Sequence, residues 1–118
     1  MPHNQQATVD QDFEIPNLEP EYFFRDREAV VVFLQENTFL IDLLKEAAGK
    51  IREYFGASAQ LAIEVFSDQD DPGENELFVR IRTELNPSIA RKNLTCFDKD
   101  WWLEASHRSN YKLNIALE

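Results

Sequence analysis

Glycine, histidine and cysteine are scarce in this chain, and each shortage removes a class of chemistry. Three glycines cannot assemble a glycine-rich phosphate loop, and no HExxH or CxxC spacing occurs. Two histidines, His3 near the start and His107 toward the end, leave little for acid–base or metal work, and the single Cys96 cannot form an internal disulfide. Long apolar runs are missing too. The longest, Ala29 to Leu34, is far below the ~20 residues needed to cross a bilayer. The first residues, MPHNQQATVDQDFEIP, show no basic region followed by an apolar stretch, so the expectation is a cytoplasmic protein. Basic charge is also short: 12 Lys and Arg face 22 Asp and Glu, a net charge of −10. That field repels phosphate backbones and anionic headgroups, which argues against nucleic acid and membrane surfaces as partners.

Apolar and aromatic residues are plentiful. The 118 residues are 43% hydrophobic and 12% aromatic, enough for one packed domain without a covalent staple. Residues 1–20 are polar and acidic, with only Val9, Phe13, Ile15 and Leu18 to bury, and read as a loosely ordered tail ahead of a single domain over 21–118. REAVVVFLQEN reads as a short first helix, although its three valines would also suit a strand. In FLIDLLKEAAGKIREYF, Leu40, Leu44, Ala47, Ile51 and Phe55 recur in steps of three and four, which predicts an amphipathic helix ended by Gly56.

The period then becomes two. QLAIEVFS and ELFVRIRTEL alternate apolar and polar positions and predict an antiparallel pair, joined by the long polar connection SDQDDPGEN. Asp68, Asp70 and Gly73 mimic the start of a calcium loop. Position twelve of such a loop is Val79 where a bidentate Glu is required, and this excludes an EF-hand. Asn86-Pro87-Ser88 offers an N-cap with proline at the first helical position, and YKLNIALE alternates again as a last strand. The expected fold is therefore α+β: two N-terminal helices, then β-β-α-β. Its sheet would be three-stranded and antiparallel, in order 2-1-3, with helices covering one face.

Such a sheet leaves Phe66, Phe78, Arg80 and Arg82 on its uncovered face, beside Glu64 and Lys112. An apolar patch with a charged rim marks an interface, unless Phe13 and Ile15 of the tail cover it. Arg80, Arg82, Arg91 and Lys92 form the one basic concentration, with Arg80 or Arg82 expected to pair with Glu64 across strands. The adjacent Trp101 and Trp102 pose a geometric problem, because neighbours on a helix point about 100° apart. If residues 88–105 form one helix, Trp101 joins the apolar stripe and Trp102 lies at its margin as a contact candidate. If Asp98 caps a fresh short helix, both indoles can bury.

FLQEN, KIREYF, the strand pair with its acidic connection, LNPSIA, FDKDWWLEA and KLNIALE, in this order over residues 29–118, resemble a group of short uncharacterised bacterial proteins, mainly cyanobacterial. The resemblance implies a bacterial cytoplasmic fold unit. It brings no activity, cofactor or catalytic residue. No nucleophile–base pair and no metal-ligand set stands out, so the residues read as a noncatalytic protein-interaction or regulatory module. Its surface would be Phe66, Phe78, Arg80, Arg82 and Trp102, acting as a homodimer or with a protein partner. The alternative is a small-molecule binder or minor enzyme with a pocket between helices and sheet.

Overall fold

A computed structural model describes residues 15–68 and 70–118. Among these, four strands build one mixed sheet backed by three main helices: β1 (Phe23–Phe24), α1 (Arg27–Glu36), α2 (Leu40–Phe55), β2 (Gln60–Asp68), β3 (Asp71–Arg82), α3 (Pro87–Phe97) and β4 (Leu113–Leu117). The α+β class and the helix-covered face follow the sequence reading, and the sheet differs from it. Its order is β1-β2-β3-β4, with only β2 and β3 antiparallel, and β1 parallel to β2 and β3 parallel to β4.

The predicted order 2-1-3 fails for a local reason. The edge beside β2, where the last strand was expected, is taken by Phe23 and Phe24, and the Arg25 amide extends the pairing by donating to the Ile63 carbonyl at 2.8 Å. The closing strand pairs instead on the free side of β3, Val79 against Ile115. Both parallel crossovers step the same way across the sheet while their strands point oppositely and their helices share one face. They therefore have opposite hands, and one takes the uncommon left-handed route.

Sequence period explains the core. In β2, Leu61 and Ile63 are buried, and in β3 Leu77, Val79 and Ile81, as are Leu113 and Ile115 of β4. They meet Val30, Phe33 and Leu34 of α1, the stripe Leu40, Leu44, Ala47, Ile51 and Phe55 of α2, and Ala90 and Phe97 of α3. Gly56 ends α2 with φ 91°, a conformation costly for side chains bearing a Cβ. The Asn86 side chain accepts from the Ser88 amide at 2.9 Å and caps α3, with Pro87 in the first turn as expected.

Residues 1–14 of the tail, Phe13 among them, lie outside the described residues. Its last part packs on the domain: Ile15 and Leu18 are core residues, and the buried Tyr22 hydroxyl donates to the Leu44 carbonyl at 2.6 Å. Burial also pushes the Tyr22 hydroxyl far above its ordinary pKa, so it remains a donor.

Two further expectations change. The connection between β2 and β3 is not a long loop, because pairing continues to Asp68 and resumes at Asp71. Backbone pairing is indifferent to the polarity of these side chains, and Pro72 is tolerated where β3 has no neighbour on its other side. Nor does Asp98 cap a new helix. It has helical φ −62° and ψ −48°, and the chain runs on through one π-helical stretch, Asp98–Trp102, in which the Leu103 amide reaches the Asp98 carbonyl. The extra residue in that turn re-aims the helix surface. Trp102 is thereby buried at 9% exposure, while Trp101 is half-buried against Phe97, ring centres 5.6 Å apart.

Candidate interaction face

Alternation places every second residue of the strands on the face that the helices leave uncovered. The pairings define its rungs. Phe23, Ala62, Arg80 and Ala116 form one, Glu64, Phe78 and Asn114 the next, and Phe66 with Glu76 a third. Four of the five residues singled out from sequence, Phe66, Phe78, Arg80 and Arg82, share this face. Phe66 is 49% exposed and stacks edge-on against half-buried Phe78, centroids 6.0 Å apart. The Arg80 guanidinium lies 4.6 Å from the Phe78 ring centre, a cation–π contact. The fifth residue, Trp102, belongs to the buried cluster on the helical side of the sheet and takes no part in this surface.

Charge on the face is organised around a residue that sequence reading did not single out. Arg25 continues β1 and bonds Glu64 at 2.8 Å through one nitrogen and Glu118 through another. Both bonds favour its charged form and raise its pKa. Glu64 also faces Arg80 at 3.9 Å, and Glu118 faces Arg82 at 3.9 Å. The expected cross-strand pair of Glu64 with an arginine of β3 is thus present through Arg80, but Arg25 holds the shorter contact. At 3.9 Å neither arginine of β3 makes a hydrogen bond to its carboxylate, and Arg82 is 72% exposed.

Beside this network runs a groove of about 740 Å³ along β1 and the end of the sheet face. Its walls bring together Arg25, Arg27, Arg52, Arg80 and Arg82, five of the seven arginines in a chain of net charge −10. Arg27 bonds Glu19 at 2.7 Å, which lowers the pKa of that carboxylate, and Arg52 bonds Glu21 at 2.7 Å. Phe23, 70% exposed, projects beside Ala62 at the groove floor. Arg25, Arg27, Arg52 and Phe23 were missed from sequence. The one available signal was the pair of arginines after two aromatics in FFRDR. Arg91 lies outside this groove but lines a neighbouring one of about 550 Å³ together with Arg82 and Glu118, while Lys92 is exposed on α3 and lines neither.

The far end of the sheet is acidic in sequence. Beyond the rung Val65–Leu77, β2 and β3 continue without β1 or β4 beside them, as a two-stranded arm over residues 66–68 and 71–76 whose register shifts between Phe66 and Asp68. That arm contains Asp68, Asp70, Asp71, Glu74 and Glu76 and no basic residue.

Among the described residues no helix is long and apolar enough to cross a membrane, and no three His, Cys, Asp or Glu side chains gather as a metal set. Compared with family models, curated proteins and solved structures, the chain matches none, so the cyanobacterial resemblance stands on the sequence fragments alone.

Proposed function

We propose that the chain is a noncatalytic protein-interaction module that works through its uncovered sheet face. The observation that carries this reading is the set of three aromatics there. Phe23 and Phe66 project into solvent, and Phe78 lies between Phe66 and the Arg80 guanidinium. Exposed aromatic and arginine side chains are what interfaces enrich: the rings bury much area with little loss of freedom, and the guanidinium adds directed hydrogen bonds.

The alternative of a pocket between helices and sheet has less support. Leu34, Leu44, Ile51, Ile63, Val79 and Phe97 are fully buried and fill the centre of that space, leaving a cleft of about 440 Å³ at its margin between α1 and the strand residues Val65, Ser67 and Asn75. The test is position-specific photo-crosslinking in the cells that make the protein. A photoreactive phenylalanine analogue replacing Phe66 should capture protein, while the same analogue replacing exposed Glu104 on the helical side should not. Equal capture from both positions, or none from Phe66, would sink the reading.

A further inference from the structure

We infer that the occupant of this face is a second copy of the chain, bound face to face with its strands antiparallel. This rests on the interaction reading above and adds partner and register. The argument is charge complementarity within one molecule: one end of the face carries Arg80 and Arg82, the two arginines there without a close carboxylate partner, and the other extends into an arm with five acidic residues and no basic one.

Sheets packed face to face keep their strands within about 30° of each other. Consider a two-fold axis lying between the two sheets and crossing the strands at the Glu64–Phe78 rung. It lays β2 on β2 and β3 on β3 in opposite directions, so residues equally far from that rung superpose. Glu76 then comes over Arg80 of the other copy. Phe66 comes over Ala62, the small residue flanked by Phe23 and Arg80, and Phe78 meets its own counterpart on the axis. Glu64 also lies at the axis, where Arg25 at 2.8 Å and Arg80 at 3.9 Å offset its charge.

Every contact off the axis occurs twice, as an isologous interface requires. Arg80 and Arg82 have donors to offer, because their contacts within the chain stop at 3.9 Å. From strand spacing and rise the flat part of the face is roughly 20 Å by 20 Å, to which the arm adds. That is under the about 800 Å² per partner of standard interfaces, so the dimer belongs to the small, reversible class.

Sedimentation equilibrium on the full chain tests the register. Wild-type protein should dimerise, with a dissociation constant rising about tenfold or more between ~0.05 M and ~0.5 M salt. Arg80→Glu and Glu76→Lys should each be monomeric, since each places like charges opposite one another twice. An equimolar mixture of the two should dimerise again, because the mixed pair keeps one native contact and gains one reversed contact. If circular dichroism shows either reversal unfolded, Arg80→Gln and Glu76→Gln replace them, each expected to weaken the dimer about tenfold. Single reversals that dimerise like wild type, or a mixture that stays monomeric, overturn the register. A wild-type chain monomeric at all concentrations overturns the second copy. The reading of the face as protein-binding then still stands if the analogue at position 66 captures another protein, and falls with it if nothing is captured.

Discussion

Ile63 and Glu64 are neighbours in β2, yet they serve surfaces held by different physics. On the helical side Ile63 lies in a continuous apolar core with Val79, Ile115 and Phe97. On the other side Glu64, Arg25, Arg80, Arg82 and Glu118 form a half-exposed ion network over small residues, Ala62 and Ala116. Burial of apolar area stabilises in proportion to the area removed from water, whereas exposed ion pairs contribute little net free energy. The covered face should therefore carry the stability, leaving the other free to be specified by contacts.

The largest effect should come from the covered face. Phe97 is fully buried between Tyr54 and Trp101, with ring centres 5.8 and 5.6 Å away. Phe97→Ala should cost about 3–5 kcal/mol in urea unfolding, the transfer loss plus the cavity left behind. A loss under about 1 kcal/mol would mean that the aromatic cluster is not part of the cooperative core.

Next comes a site where the alternating pattern misleads. Tyr111 continues the series Leu113, Ile115, Leu117 in sequence, but follows Asn110 in the left-handed region, with φ 62°, and is 80% exposed. The two consecutive positive φ values make the turn into β4, so Tyr111 does not reach the core face. A tyrosine there bears backbone strain that glycine lacks, and Tyr111→Gly should stabilise by about 1 kcal/mol. Thermal melting checks it. A destabilised variant would show that the exposed ring has a packing role after all.

On the uncovered face, Arg25→Ala should cost less than about 1 kcal/mol although it removes two ion pairs, since its side chain is 37% exposed. The same measurement as for Phe97→Ala applies, and a cost above about 2 kcal/mol would break the contrast between the faces.

The legible parts of this fold are those with a period. The stripe Leu40, Leu44, Ala47, Ile51, Phe55 and the alternation of β2 and β3 announced both elements and their buried sides. From the second alternation came Phe66, Phe78, Arg80 and Arg82 as residues of one face. Phe23–Phe24 is too short to have a period, yet by taking the edge of β2 it sets the order of the sheet and brings Arg25 onto the face. Arg52 joins the groove from α2, 31 residues after its partner Glu21, a separation that no local pattern encodes. The π-helical turn is likewise silent in sequence, because it is one more residue in a helix whose composition is otherwise ordinary.

Asp98 sharpens the contrast between the two sides. Where Glu64 has two guanidinium partners, the Oδ1 atom of Asp98 is buried with no hydrogen-bond partner among the described residues, and burial alone raises the pKa of its carboxyl above the ordinary 3.8. A carboxyl whose pKa is raised in the folded state contributes nothing while protonated and penalises folding once it ionises. Its penalty is absent below pH 3.8, grows as pH rises through the folded-state value, and is constant above it. Asp98→Asn removes the charge while keeping the shape, so its melting temperature should match wild type near pH 3.5 and exceed it by a small, constant margin near pH 7. Melting curves at a series of pH values decide this. A difference that does not change with pH would mean that the Asp98 carboxylate is as well solvated in the folded chain as in the unfolded one, and the helical side would then tolerate charge as readily as the face bearing Glu64.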